Sequence, residues 1–247
     1  MFTIDMLPAY QGDCLWVEYG TPDNPHRVLI DGGPSRSYKA LKVRLISERE
    51  CTPNKQLHFE LLVVTHVDSD HIAGVLELLV GLPRGVTFGE VWFNGWDHLP
   101  NLEDDRLGPV EGEQLSAVIK RRKLRWNQAF EGKAACVPEH GTPPCIPLDG
   151  GMQLTVLSPT TSQLVKLRPA WKKTVEKAGL AARSAEDALK QLKTKEPWSD
   201  MLGEEGEPDP EALASKPFAA DSAEANGSSI ALLAEFEGRA CLLASDA

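Results

Sequence analysis

Apolar positions along the chain recur at two spacings, every second residue in some segments and every three to four residues in others. Short runs rich in β-branched and aromatic residues, bounded by turn-forming residues, predict strands at 16–19, 27–30, 60–64, 86–93 and 151–157. Helical spacing predicts helices over 40–50, 72–80 and 113–123. Strands and helices that alternate in this way, twice over, fit two sheets sandwiched between helices.

Residues 162–222 differ in character from the rest of the chain. Segments 164–178 and 184–193 are rich in Ala, Lys, Glu and Leu, which favour helices, whereas 196–221 mixes glycines and prolines with acidic residues and is typical of a mobile loop. We therefore predict one domain over residues 1–247 with a helical and flexible insertion at about 162–222. This insertion either covers an active site or binds a partner; a solvated insertion without a role is the alternative.

Composition is compatible with a soluble enzyme but does not choose its substrate. A chain of 247 residues with 42% hydrophobic content can bury a substantial core. Its formal net charge of −10 argues against broad, sequence-independent binding to a nucleic-acid backbone, which needs clustered cations. The basic run at 120–125 is interpreted as the solvated face of a helix, with a nucleic-acid track as the alternative.

Cysteine usage and the first residues of the chain bear on its location. The five cysteines are widely spaced, odd in number and form no Cys-x-x-Cys pair, so neither a zinc ribbon nor a disulfide framework is indicated. No signal peptide opens the chain, and no apolar stretch reaches transmembrane length. We therefore predict a cytoplasmic protein without a membrane partner.

The most informative segment, residues 65–74, reads Thr-His-Val-Asp-Ser-Asp-His-Ile-Ala-Gly and directly follows an apolar run. Its four potential metal ligands are His66, Asp68, Asp70 and His71. These side chains cannot all point the same way on a strand, but a loop and the start of a helix can make them converge. Either Asp alone would be interpreted as a helix cap, whereas the four together indicate a site for one or two divalent cations.

The segment 66–71 resembles the metallo-β-lactamase superfamily, whose hallmark is His-x-His-x-Asp-His after a strand. Asp68 takes the place of the second His, and this variant resembles the branch that contains the hydrolase domain of bacterial DNA-uptake channel proteins. The resemblance extends to the segments 11–17, 28–33, 226–233 and 241–246, which match the family's opening and later strands. It implies an α/β fold, a four-layer αββα sandwich of which this chain carries the N-terminal and central part.

The resemblance also implies roles for individual residues. Asp31 matches an acidic residue that braces the ligands through hydrogen bonds, with a turn Asp before two glycines as the alternative. His66 and Asp68 would belong to the first metal position, and Asp70 and His71 to the second. Asp246 matches the residue that commonly bridges both ions. Asp70 and Asp31 are the predicted catalytic residues.

Two departures from the family pattern matter. Asn226, with Ser228 just after it, stands where the family usually offers a His, so both are predicted to lie beside substrate or metal. A further family His would lie downstream of Asp246, beyond the last residue of the sequence. Three alternatives remain: the polypeptide continues, a partner chain completes the site, or the site is incomplete. We expect further polypeptide or a partner to complete the domain.

Ligand chemistry bears on the metal and on the reaction. Imidazole suits Zn²⁺, whereas carboxylate and amide oxygens suit Mn²⁺ and Mg²⁺, so Asp68 and Asn226 favour two Mn²⁺ ions, with Zn²⁺ or Mg²⁺ as alternatives. A metal-activated water would then attack a phosphodiester. The leading prediction is a phosphodiesterase or nuclease acting on nucleic acid. His98 and Trp96 are candidates to line the substrate groove, with a structural loop as the alternative.

Two other functions stay open. The first is hydrolysis of a small ester or lactone on the same fold, which a preference for zinc would favour. The second is a regulatory or binding module of a larger assembly, in which the hydrolase site is incomplete.

Overall fold

Two β-sheets packed face to face organise residues 1–99, 110–167 and 225–247, the part of the chain that the computed structural model describes. The first sheet has the strand order β1-β2-β3-β4-β5. Its strands are β1 (Phe2–Met6), β2 (Leu15–Thr21), β3 (Asn24–Ile30), β4 (Leu57–Val64) and β5 (Val86–Phe93). The first three strands pair antiparallel, and β3, β4 and β5 pair parallel. The carboxyl ends of β3, β4 and β5 therefore lie at the same edge of the sheet.

The second sheet is antiparallel throughout and has the order β6-β7-β8-β9. Its strands are β6 (Cys145–Pro147), β7 (Gln153–Ser158), β8 (Ala231–Phe236) and β9 (Arg239–Leu243). Glu237 and Gly238 join β8 to β9, and both have positive φ, of 48° and 73°. A two-residue turn of this hand matches the twist of the strands that it connects. The turn thereby sets the pairing of β8 with β9, and the chain leaves β9 toward the edge of the first sheet where β3, β4 and β5 end.

Alternate residues of the two sheets meet in a shared apolar layer. This layer includes Val17, Tyr19, Val28, Ile30, Leu61, Val63 and Trp92 from the first sheet, and Leu154, Val156, Leu232, Ala234 and Phe236 from the second. Because successive side chains on a strand point to opposite faces, the remaining apolar residues of the first sheet face away from the second.

Three helices cover that other face of the first sheet: α1 (Tyr38–Cys51), α2 (Ser69–Val80) and α3 (Val110–Arg122). They bury Leu45, Val75 and Ile119, among others, against strand residues such as Leu62. Residues 61–64, the second half of β4, are consequently buried and apolar on both faces, as is typical of a parallel strand between two layers.

The predicted α/β sandwich is confirmed, as are the strands and helices predicted within the described residues. The sequence patterns missed two edge strands, β1 and the three-residue β6, and placed the start of α2 three residues late. Residues 161–167 are helical, but the predicted helix 184–193 and the loop 196–221 lie outside the described residues. In the described ranges, no helix is long and apolar enough to cross a membrane.

Candidate metal centre

Four chain segments meet at the edge of the first sheet where β3 and β4 end. Asp31 directly follows β3, and Thr65 and His66 directly follow β4. His71 lies in the first turn of α2, and Asp246 follows β9 of the second sheet. The first sheet, the second sheet and α2 therefore all contribute side chains to this edge.

His66 and His71 are buried, with 3% and 1% of their surface exposed, and their ring centroids are 4.2 Å apart. Their Nε2 atoms lie 4.0 and 3.6 Å from Oδ2 of Asp246, respectively. One ligand atom from each of these three residues lies within 4.8 Å of the others. Oδ2 of Asp68 is 3.8 Å from Nε2 of His66, which places a second carboxylate beside the group.

The opposite sides of both rings are held by hydrogen bonds. Nδ1 of His71 lies 2.9 Å from Oδ2 of Asp31, which also accepts a bond of 2.6 Å from the Thr65 hydroxyl. Nδ1 of His66 lies 3.0 Å from that hydroxyl oxygen. Because the Thr65 proton is directed to Asp31, the His66 N–H is the donor in this contact. Both rings therefore carry a proton on Nδ1, and in the neutral form each Nε2 presents a lone pair.

The two Nε2 atoms are buried and have no hydrogen-bond partner among the described residues. A buried polar nitrogen without a partner costs about 1–3 kcal/mol, so such atoms need an explanation. The separations of 3.6–4.0 Å from carboxylate oxygens are too long for hydrogen bonds and leave room for a cation between the groups. His66, His71, Asp246 and Asp68 are thus chemically and geometrically suited to hold a divalent ion.

The surroundings of the two imidazoles shift their pKa values in opposite directions. Burial lowers the pKa of His66, and the neighbouring His71 lowers it further. Burial also acts to lower the pKa of His71, but its hydrogen bond to Asp31 and the charges of Asp31, Asp246 and Asp70 outweigh burial and raise this pKa to about 9. No Lys or Arg is among the groups that shift either pKa. Apart from the two imidazoles themselves, the charged groups that shift these pKa values are therefore all carboxylates, which makes the surroundings of the rings anionic.

Asp68 and Asp70, the two acids of the motif, occupy the start of α2. Asp68 is the N-cap residue, but in the described structure its side chain makes no capping hydrogen bond, so capping does not explain it. Burial raises its pKa, and the His66 charge opposes this shift. Asp70, in the first turn of α2, belongs to neither of the three-residue ligand groups that the described residues form. Its assignment as a ligand and catalytic residue stays a prediction.

Asp31 is fully buried and accepts bonds from the Thr65 backbone N–H, the Thr65 hydroxyl and His71. These contacts are the bracing arrangement expected from the sequence. They leave Asp31 remote from solvent, so it acts by orienting His71, and a direct part in the chemistry is not supported by its position.

The remaining predicted site residues lie farther out. Asn226 and Ser228 form a short turn before β8, and the nearby Ile230 N–H donates to the Thr65 carbonyl over 2.9 Å, which ties this turn to the centre. Trp96 is 8% exposed within the core beneath the helices. This burial argues against stacking on a base, because stacking needs an open ring face. His98 packs edge-on against Trp126, with centroids 4.5 Å apart, and burial lowers its pKa.

Sequence reasoning missed three residues of the centre: Thr65, Ser245 and Asp13. The Ser245 and Thr65 hydroxyls are 2.9 Å apart. Asp13 contributes one oxygen to a second group, with Asp31 and His71, whose ligand atoms lie within 4.8 Å of one another. Thr65 could have been singled out from its position between a buried strand and the first His. A polar β-branched residue at that position is not needed for packing. Nothing in the local pattern around Ser245 distinguished it from a turn residue.

Glycines bring the backbone of α2 against two loops. A Cβ on Gly74 would lie 2.0 Å from the Gly32 carbonyl oxygen, and a Cβ on Gly12 would lie 1.7 Å from that of Asp70. The Gly32 N–H donates to the His71 carbonyl over 3.0 Å, and the Gly74 N–H donates to that of Gly33 over 2.9 Å. These contacts require residues without side chains and fix α2, and with it His71, against the strand ends.

Comparison with known proteins agrees with this architecture. No protein-family model matches the chain. Two curated relatives, both hydroxyacylglutathione hydrolases of Salmonella paratyphi A, are each 30% identical over 115 residues, which is 46% of this chain and 40% of the relative. Hydroxyacylglutathione hydrolase is a metallo-β-lactamase superfamily enzyme. The similarity supports that superfamily. The chain thus matches less than half the length of these metallo-β-lactamase relatives, and the predicted likeness to the DNA-uptake branch stays a prediction.

Proposed function

We propose that this protein is a metal-dependent hydrolase. The observation that carries the proposal is the pair of buried Nε2 atoms of His66 and His71, both without a hydrogen-bond partner in the described structure and both near the Asp246 carboxylate. The similarity to hydrolases of the metallo-β-lactamase superfamily supports it.

The residues of the chain would divide the work between holding and orienting. His66, His71, Asp246 and Asp68 would hold the cations, with Asp70 as a further candidate. Thr65 and Asp31 fix the imidazole rings so that each Nε2 is directed inward. Divalent ions bound there would supply a nucleophilic water at neutral pH and stabilise negative charge on the substrate.

The first candidate substrate is a phosphodiester of nucleic acid, hydrolysed with Mn²⁺ in preference to Zn²⁺ or Mg²⁺. The oxygen-rich ligand set, with Asp68 and Asn226 in place of two His, supports it because oxygen ligands suit harder cations. No Lys or Arg shifts the pKa of either His, so bound ions would be the main source of positive charge for attracting an anionic substrate. Activity on a phosphodiester should therefore be abolished completely by a chelator.

The second candidate substrate is a small ester or thioester. The names of the two relatives support it, since the acyl group of a hydroxyacylglutathione is joined to sulfur as a thioester. The two imidazole ligands also suit Zn²⁺. The acyl group that reacts is uncharged, although glutathione itself carries carboxylates, so the anionic environment of the centre is compatible with the reacting part of this substrate class.

The experiment compares these classes on one preparation of the full chain. Protein stripped of metal would be assayed with Mn²⁺, Zn²⁺ or EDTA against bis-p-nitrophenyl phosphate, single-stranded and duplex DNA, RNA, p-nitrophenyl acetate and S-lactoylglutathione. Asp246→Asn should lower turnover at least about 100-fold, because it removes a charged ligand while preserving shape. Asp23→Asn, in the exposed turn between β2 and β3, is the matched control and should behave as wild type.

Two outcomes would overturn the proposal. If turnover of every substrate is the same in EDTA and with metal, or the same in Asp246→Asn and wild type, the protein is not a hydrolase acting through this centre. Failure of the wild-type chain to bind Mn²⁺ or Zn²⁺ would instead favour a regulatory module, or a centre that needs another segment or a partner chain to be completed.

A further inference from the structure

Asp13 lies in the loop between β1 and β2, a segment to which neither the motif nor the proposed function assigns a role. Its carboxylate is half-buried, and one of its oxygens lies within 4.8 Å of ligand atoms of both Asp31 and His71. The carboxylate makes no hydrogen bond or ion pair with any described residue. It is thus an acid at the edge of the centre with free lone pairs.

The position of Asp13 is fixed by its neighbours on both sides. Cys14 is 2% exposed in the core, and its carbonyl accepts a hydrogen bond of 2.9 Å from the Leu7 N–H, which closes the loop. On the other side, Gly12 is in contact with the Asp70 backbone at the start of α2, so closely that a Cβ would meet the Asp70 carbonyl oxygen at 1.7 Å. Asp13 is therefore held beside the helix turn that carries His71 and Asp70.

Charge supplies an independent reason for a cation at this place. Burial raises the pKa of the Asp13 carboxyl, the His71 charge opposes this shift, and the carboxylates of Asp31 and Asp246 raise the pKa further; these groups include no Lys or Arg. Three acids thus face one another, with only the imidazoles of His66 and His71 as possible counter-charges from the described residues. His71, which is 1% exposed and has an Nε2 without a hydrogen-bond partner among the described residues, belongs with Asp13 and Asp31 to the second group of ligand residues.

We propose that Asp13 contributes its carboxylate to cation binding at the side of the centre occupied by His71 and Asp70. The inference rests on the proposed function, because it concerns the same metal centre. It extends that function by assigning a cation-binding role to a loop outside the His-x-Asp-x-Asp-His motif. An oxygen ligand at this position adds to the preference for Mn²⁺ over Zn²⁺.

The test is metal binding and does not depend on turnover. Mn²⁺ affinity and stoichiometry would be measured by calorimetry and native mass spectrometry on the metal-stripped full chain, for wild type, Asp13→Asn, Asp13→Glu and the control Asp23→Asn. We expect Asp13→Asn to weaken Mn²⁺ binding at least about tenfold or to lose one ion per chain. Asp13→Glu, which keeps the carboxylate, should recover part of the affinity, and Asp23→Asn should match wild type.

The outcomes separate this inference from the proposed function. Equal affinity and stoichiometry in Asp13→Asn and wild type would overturn the role of Asp13 and leave the hydrolase proposal intact. Wild-type protein that binds neither Mn²⁺ nor Zn²⁺ would overturn both. Circular dichroism of the metal-free variants would establish that Asp13→Asn is folded, so that weaker binding is attributed to the missing charge.

Discussion

Thr65 is the residue at which the hydrogen bonds of the centre meet. Its hydroxyl donates to Asp31 and lies within 3.0 Å of Nδ1 of His66 and of the Ser245 hydroxyl. A hydroxyl has one proton and two lone pairs, so these three contacts use its full capacity. One buried side chain thereby sets the orientation of His66 directly and that of His71 through Asp31.

Thr65→Val preserves shape but removes this hydroxyl, leaving the His66 N–H without its acceptor and Asp31 without one donor. We expect Mn²⁺ or Zn²⁺ affinity to fall about 10–100-fold, as is usual when a ligand loses its supporting hydrogen bond. Calorimetric titration measures this loss. Thr65→Ser keeps the hydroxyl and should bind nearly as wild type. Equal binding by the valine variant would show that the rings are held by packing alone.

Tyr19 provides a prediction about pH. It is fully buried between the sheets, and its hydroxyl donates to the Asp149 carbonyl over 2.6 Å. Burial raises its pKa above the ordinary value of 10.0, and Glu60 and Asp149 raise it further. The unfolded chain therefore loses this proton first, so the free energy of unfolding should fall as the pH rises above 10.0.

For Tyr19, the decline has a limiting slope of about 1.4 kcal/mol per pH unit. Tyr19→Phe cannot ionise, so the stability difference between wild type and Tyr19→Phe should shrink between pH 9 and about pH 11. Urea unfolding at several pH values measures the free energy of unfolding of wild type and of Tyr19→Phe as a function of pH. Curves that run parallel over this range would contradict the prediction.

At the scale of single residues, the sequence predicted the ligand types and, through the family resemblance, the bracing role of Asp31. His66 and His71 could be proposed because imidazoles and carboxylates in close spacing have few other uses, whereas Asp246 was proposed from the resemblance. Thr65 and Asp13 could not be assigned in the same way, since their roles depend on contacts with residues far along the chain. For Trp96, a loop position gave no sign that the ring is buried, and this burial favours the structural loop over a place in a substrate groove.

Among the elements, α2 depends most on glycine. Gly74 lies directly against Gly32. The backbones of α2 and of the Gly32–Gly33 loop are therefore close enough to form hydrogen bonds with each other, whereas side chains would normally separate them. Helix propensity alone would favour Ala at position 74 by about 1 kcal/mol. Glycine at position 74 is therefore unfavourable for the helix itself, but it allows the close contact with Gly32 that places His71 at the strand ends.

Gly74→Ala should lower the free energy of unfolding by at least about 2 kcal/mol, because its methyl would lie 2.0 Å from the Gly32 carbonyl oxygen and α2 would have to shift. Urea denaturation of the metal-free chain measures the change. Gly227→Ala is the control, since a Cβ at Gly227 meets nothing within 4 Å. If the Gly74→Ala variant is as stable as the Gly227→Ala variant, α2 can shift away from Gly32 without a cost in stability.

Element boundaries were predictable where burial is regular. The β4 run and α2 follow their apolar periods closely, whereas β1 and β6 are short edge strands with half-exposed patterns that resemble loops. The start of α2 was placed late because Ser69, Asp70 and His71 carry no helical apolar pattern. Their residue types are explained by the centre that they face.

At the scale of the whole molecule, the centre joins the two sheets. His66 follows a strand of the first sheet and Asp246 follows β9 of the second, so a cation held by both would connect them. The apolar layer between the sheets brings these ends together before any ion binds. Local sequence patterns do not reveal contacts between residues far apart in the chain. The sequence therefore predicted the sandwich, and the resemblance predicted Asp31 and Asp246, but neither indicated that Ser245 contacts Thr65.

We expect Mn²⁺ to slow amide hydrogen exchange in β9 and in the residues that follow it, because Asp246 would be held against the first sheet. Exchange measured by mass spectrometry, with and without Mn²⁺, tests this expectation. The effect should vanish in Asp246→Asn and persist in Asp23→Asn. Unchanged protection of β9 in wild type would show that the ion does not link the sheets.

The separation of the ligands along the chain also sets the order of events during synthesis. Thr65 and Ser245 are 180 positions apart, so at about 5–20 residues per second the His-bearing segment leaves the ribosome roughly ten to forty seconds before Asp246. During that interval the imidazoles have no second-sheet carboxylate to face. The cation site proposed above would therefore be complete only after translation has delivered both sheets, and a nascent chain halted midway would carry the motif without the Asp246 carboxylate.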